Sequence, residues 1–277
     1  MEDKELKALV SLLEDDELRP EIEQRIYSLG NEIIPFLEEE WEASFDASVQ
    51  ERIEGIIHNL QFDLLKERLI NWKNSEKDDL LKGLWLVATY QYPDLSLEKL
   101  RQDFEQLYYE VWPEFNPEAH PYDQVKIISG VLFGRLRFKA NTRNFHSPAN
   151  SMINSVLESR RGNPIALGVV YMLIAQKLGI PVYGVNLPNF FILTYHDKEK
   201  EVQFYINAFN RGLIFTKQDI DHYLAQININ PHPRYYQACN HLDIVTRVLR
   251  NLSISYEKLD EHDKADEVKQ LLVLFGG

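Results

Sequence analysis

Residues 160–188, RRGNPIALGVVYMLIAQKLGIPVYGVNLP, decide the fold class. The segment runs from two arginines through a long apolar helix into a strand-like stretch, and the change of period falls at Pro181. A helix of this kind aims its first turn beyond the sheet that follows it. That turn carries Asn163, Pro164 and Ile165. Two readings stay open: a reactive helix end that lacks its nucleophile, or a helix that serves only packing.

Downstream, period-two alternation continues through VYGVNL, FFILTY, the polar turn HDKEK and EVQFYINAF, which predicts short antiparallel strands. Thr216, Asp219 and Ile220 then begin another helix, and 240–275 reads as two amphipathic helices hinged at Asp260–Asp263, similar to a tetratricopeptide unit. Upstream, Asn150 or Ser151 is the expected cap of a helix over about 151–160, closed by Gly162. Before it, helical spacing covers 78–89, 96–111 and 122–136. At the start of the chain, Leu6, Leu9, Val10 and Leu13 recur at helical spacing, as do Ile22, Ile26 and Leu29 after Pro20 and before Gly30. Ile34, Leu37 and Trp41, then Ile53, Ile56, Leu60, Leu64 and Leu69, complete an antiparallel stack that resembles a HEAT-type repeat.

The 277 residues, 44% hydrophobic and 12% aromatic, can fill a sizeable core. Thirty basic against 43 acidic residues give a net charge of −13, which repels phosphate backbones and anionic lipid, so neither nucleic acid nor membrane is an expected partner. The lone Cys239 excludes an intrachain disulfide, and the charged start MEDKELKALVSLLEDDE lacks a signal-peptide core; a cytoplasmic location is the expectation.

The block VLFGRLRFKANTRNFHSPANSMINSVLESRRGNPIALGVVYMLIAQKLGIPVYGVNLPNFFIL, residues 131–193, carries several motifs in order. An Asn-Ser loop precedes a helix, V-L-x-x-R-x-G-x-P-I-x-L follows, the next helix ends in L-G-I-P, and G-V-x-L-P leads into a strand. In this it resembles the SirB-type branch of the transglutaminase-like superfamily, well over 123–226 and loosely in the flanks. The resemblance implies an α+β, mostly helical fold: a helical, HEAT-like region over 1–120, a transglutaminase-like core of a helix packed on a small antiparallel sheet over 121–230, and a TPR-like C-terminal hairpin over 231–277.

In active members the helix start carries a nucleophilic cysteine, the first facing strand a histidine and the next strand an aspartate. A helix N-terminus acidifies a thiol and offers N–H groups to an oxyanion; the imidazole shuttles the proton and the carboxylate orients it. Matched onto this chain, the cysteine position falls on Pro164, or Ile165 if the register slips by one, the histidine position on Phe190, and the aspartate position on Asn207. None can fill its role. The resemblance therefore implies a catalytically inactive protein that binds a protein or peptide through the core cleft and helical flanks.

The alternative is a cysteine-dependent acyl-transfer enzyme or peptidase using Cys239, with His241 and His222 as the imidazoles to consider; a third reading makes the core a spacer between helical flanks. Arg160 and Arg161 stand before a helix N-terminus, where they either hold an anionic ligand or make local salt bridges and cap the preceding helix. Asn154, Asn163, Asn186, Asn189, Asn207 and Asn210 form either a polar cradle at the cleft or ties between loops. The eight histidines have no zinc-motif spacing, and no phosphate loop, dinucleotide fingerprint or serine elbow occurs, so no metal or cofactor is expected. Tyr108, Tyr109, Trp112 and Phe115 form either an interaction surface or part of the core, and their helical spacing favours the core.

Overall fold

The computed structural model describes residues 3–15, 17–197, 199 and 201–276. Lys198 and Lys200 of the polar turn HDKEK, and Met1, Glu2 and Asp16 of the N-terminal segment, lie outside the described residues. The chain divides into two compact units, Met1–Asn71 and Trp72–Gly277.

The first unit holds α1 (Asp3–Ser11), α2 (Arg19–Tyr27), α3 (Ile34–Ala43) and α4 (Ala47–Asn71). Its core gathers one residue set from each helical stripe, with Leu13, Ile26, Leu37 and Ile53 fully buried. Pro20 sits in the first turn of α2, where its missing N–H costs nothing, and Gly30 takes a left-handed φ of 73° after that helix ends. The Asp46 carboxylate accepts the Ser48 N–H at 2.7 Å ahead of α4, and bonds from Ser48 hold its pKa below the usual carboxylate value.

The second unit contains α5 (Leu80–Thr89), α6 (Leu97–Val111), α7 (Pro121–Ser129), β1 (Lys139–Ala140), α8 (Ile153–Ser159), β2 (Arg161–Gly162) and α9 (Pro164–Lys177). After them come β3 (Val182–Leu187), β4 (Phe190–Asp197), β5 (Val202–Asn207), β6 (Leu213–Phe215), α10 (Lys217–Gln226), α11 (His241–Lys258) and α12 (His262–Val273). The strands β3-β4-β5-β6 form one antiparallel sheet in sequence order, with Leu187 opposite Phe190 and Leu193 opposite Ile206. The result is a mostly helical α+β fold with a small antiparallel sheet, as the strand and helix spacing predicts.

α9 lies against β3 and β4 and is buried around its circumference, from Ile165 to Met172, which is why its sequence is apolar without a polar face. The ring of Phe191 fills the space that two glycines leave: a Cβ on Gly184 would stand 2.5 Å from Phe191 Cζ, and one on Gly168 2.9 Å from Cδ1. Farther along α9, the buried Tyr171 hydroxyl donates to the Val125 carbonyl at 2.9 Å, tying α9 to α7. The α11–α12 hairpin turns at Asp260, whose φ of 60° is left-handed.

Three local expectations change. The cap position of α8 falls on Met152, without a side-chain bond. Asn150 instead donates to the Asn144 and Phe145 carbonyls at 2.7 and 3.0 Å, so its amide shapes the loop. Arg160, at φ 56°, takes the left-handed position that Gly162 was expected to supply, because Gly162 is already paired in β2 with Ala140. Tyr109 and Trp112 are exposed, at 59% and 56%, rather than in the core: the buried stripe of α6 is Leu100, Phe104, Leu107 and Val111, and these aromatics fall off that face.

Candidate functional site

The start of α9 is built by two asparagines and a proline. Asn163, buried, is the N-cap: its Oδ1 accepts the Ala166 N–H at 2.9 Å while its Nδ2 donates to Ser151 Oγ at 2.8 Å. Its backbone N–H donates to the carbonyl of Asn150, whose Oδ1 in turn accepts from Asn141 Nδ2 at 2.8 Å. Pro164 at the first helical position has no N–H to offer. With Ala166 capped, the Ile165 N–H is the first-turn donor that no acceptor meets among the described residues.

In front of this turn opens a cavity of about 370 Å³. Asn163, Pro164 and Ile165 form one wall, and Asn189, Phe190 and Phe191 from the β3–β4 hairpin form the second. The hairpin loop is Pro188–Asn189, with Asn189 at φ 58°, a residue pair suited to a tight turn that needs a left-handed second position. Phe190 therefore lines the space without filling it; its ring lies 6.4 Å from those of Phe209 and Tyr223. The third wall is α11, with Arg247, Arg250, Asn251 and Ile254, and the loop residues Phe145 and His146 close the rim.

Of the residues singled out in the sequence, Asn163, Pro164, Ile165, Asn189 and Phe190 thus meet at one cavity. Asn207, Asn210, Arg160 and Arg161 do not line it. Asn207 ends β5 and caps a short 3-10 turn, its Oδ1 accepting the Asn210 N–H at 2.9 Å. Arg160 donates through Nη1 to the Leu136 carbonyl at 2.9 Å, and Arg161 pairs in the two-residue parallel ladder with Lys139. Two further amides, Asn154 and Asn186, each bury an Oδ1 without a hydrogen-bond partner.

Cys239 lies away from this turn, partly buried on the wall of a second cavity. It precedes Asn240, the N-cap of α11, and its N–H donates to the Gly184 carbonyl at 2.8 Å, which holds the thiol against the sheet. Burial, with the Asp243 carboxylate nearby, pushes the thiol up to about 12. His241, the nearest histidine in sequence, bonds through Nδ1 with the Lys77 carbonyl at 3.2 Å. Among the described residues no group of three histidine, cysteine, aspartate or glutamate side chains could hold a metal ion, and no helix is long and apolar enough to cross a membrane.

A helix laid on an antiparallel sheet with its N-terminus opening on a cleft is the arrangement the motif block points to, and a family model described as the transglutaminase-like superfamily matches residues 98–250, just over half of the chain. The chain belongs to the transglutaminase-like superfamily. The superfamily region runs from α6 into α11 and so contains every residue that lines the cavity up to Arg250. A UPF0162 protein of Xylella fastidiosa strain Temecula1 is 29% identical over 211 residues, covering 67% of this chain and 68% of that protein. A UPF0162 protein of Vibrio cholerae serotype O1 is 24% identical over 234 residues, 83% of this chain and 75% of the relative. F-box only protein 21 of Mus musculus is 27% identical over 151 residues, 52% of this chain and 23% of that protein. No solved structure matches.

The α11 wall of this transglutaminase-like cleft escaped the sequence reading. Asp243 and Arg247 stand four apart on a helix, the spacing of a routine ion pair. The structure does not make that pair: Asp243 Oδ2 accepts the Asn240 N–H at 3.2 Å and closes a capping box. Arg247 is left to reach the Leu187 carbonyl, at 3.2 Å, beside the cavity.

Proposed function

We propose that this chain is a catalytically inactive transglutaminase-like protein of the SirB-type branch, which binds a protein or peptide in the cleft before α9. The observation that carries the reading is the first turn of α9 beside an open cavity: Pro164 has neither thiol nor N–H, and the aromatic Phe190 cannot take a proton. Asn207, matched to the orienting carboxylate, spends its Oδ1 on a turn. A cavity of about 370 Å³ with apolar walls and a few polar groups has the size and character to take a side chain or two of a peptide. On this reading Pro164, Phe190 and Asn207 are degenerate triad positions, and the HEAT-like helices before 121 and the TPR-like hairpin after 231 add partner surface. A cytoplasmic location and the absence of nucleic-acid binding belong to the same reading, the first supported by the lone Cys239 and the second by the −13 charge.

Two measurements test it. The purified chain, offered generic amide and ester substrates, is expected to show no turnover; hydrolysis or acyl transfer abolished by Asn163→Ala or Phe190→Ala overturns inactivity. Panning a random peptide library against the immobilised chain is expected to enrich sequences that Ile254→Trp, with an indole filling the cavity, no longer retains. Enrichment unaffected by Ile254→Trp overturns binding in the cleft.

A further inference from the structure

Arg247 and Arg250 are out of keeping with the electrostatics around them. In a chain with 43 acidic residues against 30 basic ones, neither guanidinium has a carboxylate within ion-pair distance among the described residues. Arg247 is half-buried, with one N–H on the Leu187 carbonyl, and a partly desolvated cation without a counter-charge is a costly arrangement. The charged group that acts on it is another cation, Arg250, one helical turn away; desolvation and that repulsion lower its pKa. Cys239 and Tyr223, which also act on it, are both pushed up by burial and stay neutral at ordinary pH, and the Asp243 carboxylate, which lines the second cavity one turn earlier on α11, is turned to the Asn240 N–H in its capping box.

Both arginines line the cavity before α9, and both also line an adjoining cavity of about 690 Å³ on the Cys239 side. They therefore stand where the two spaces meet, with apolar Ile165, Phe190 and Ile254 on one side. We propose that Arg247 and Arg250 receive the C-terminal carboxylate of a bound peptide whose last side chain is apolar and lies against Phe190 and Ile254. The proposal rests on the cleft-binding reading and gives it a substrate class. The α-carboxylate is one carbon removed from its own side chain, which is the spacing that places an anion beside an apolar wall; a guanidinium fork matches its two oxygens. A phosphate would satisfy the same guanidiniums but would leave the apolar wall of Ile165, Phe190 and Ile254 uncovered, which the last side chain of a peptide covers.

The test uses fluorescence anisotropy with the full chain and three N-terminally fluorescein-labelled peptides. They are Gly-Ser-Gly-Ser-Phe with a free carboxylate, the same peptide as its C-terminal amide, and an amide-ended Gly-Glu-Gly-Ser-Phe. The free acid is expected to bind about ten-fold or more tightly than either amide. Arg250→Gln, an exposed substitution that the fold tolerates, is expected to erase most of that preference. Arg247→Gln, used after circular dichroism shows a folded chain, should erase the rest. Equal affinity for the acid and its amide overturns the proposal while leaving cavity-dependent library enrichment, and so the cleft reading, standing. Preference for the internal glutamate, an unchanged preference in Arg250→Gln, or no binding of the free acid overturns it as well.

Discussion

The N-termini of α9 and α11 hold opposite halves of a thiol chemistry. At α9 there is an open cavity and a capped helix end, and the first helical residue beside the cavity is Pro164. At α11 there is a thiol one residue before the cap, but Cys239 is packed on Gly184 and the capping box brings the Asp243 carboxylate close. The comparison teaches that a helix N-terminus does not acidify a cysteine by proximity alone. Its partial positive charge amounts to about half an elementary charge, and burial together with a nearby carboxylate overrides it.

The sharpest way to break that comparison is to measure the thiol. A group ionising near 12 instead of in the ordinary thiol range exposes about a thousand-fold less thiolate at pH 8, so alkylation of folded Cys239 by iodoacetamide should be slower than that of free cysteine by about that factor. Rates equal to those of free cysteine would show the burial argument to be mistaken. The same shift has a sign for stability. Between the ordinary thiol range and pH 12 the unfolded chain sheds this proton and the folded chain keeps it, so stability falls as pH rises through that window. Cys239→Ala should lose less stability there than the wild type, as read by urea melts at pH 8 and pH 10.5.

The converse experiment moves the sulfur. Pro164→Cys in a Cys239→Ala background puts a thiol on the half-buried first position of α9, at the edge of the cavity. It should react at least about a hundred-fold faster than Cys239 at pH 8, because the helix end and the two α11 arginines favour the thiolate. A Pro164→Cys thiol as inert as Cys239 would mean that the cavity does not present this position to solvent.

Most of the fold was legible, and the site only in part. The apolar run 164–177, the strand alternation after Pro181 and the Thr216/Asp219 capping box are local patterns, and local patterns survive into the structure. The cavity's α11 wall was not legible. Arg247 and Arg250 sit on an amphipathic helix, where charge on the outer face is ordinary, and only the tertiary arrangement shows that this part of the outer face borders a cleft. The exposure of Tyr109 and Trp112 was missed for the complementary reason: aromatic content predicts burial on average, while the angular position on α6 decides it. Asn207 shows a third limit, since a strand-end amide that caps its own turn reads in sequence like one that faces a ligand.

A smaller effect tests the packing that separates the two helix ends. Gly184→Ala sets a Cβ 2.5 Å from Phe191 Cζ and 3.2 Å from Cys239 Sγ, while the other edge of the ring faces Gly168 of α9, where a Cβ would stand 2.9 Å from Cδ1. Such overpacking should cost about 1–3 kcal/mol in a denaturant melt. It should also raise the alkylation rate of Cys239 by loosening the packing around it. A neutral Gly184→Ala would show that Phe191 has room to move, and that the thiol's burial is less tightly fixed than the glycine contacts imply.

The smallest effect separates the two helices by sign. Changes in the α9 region remove capping or packing and should destabilise, whereas Arg250→Gln removes one of two like charges a helical turn apart, with no carboxylate left stranded. Like-charge pairs at that spacing cost about 0.2–0.5 kcal/mol on a helix surface, so the substitution should raise stability by a similar amount at low salt. The gain should shrink as salt screens the exposed guanidinium. A loss of stability on Arg250→Gln would mean that the arginine already satisfies a contact within the fold, and the case for an external anion would weaken with it. A gain in the empty protein, set against a loss of affinity for the free-acid peptide, is the pattern expected of a residue retained for binding at some expense to the fold.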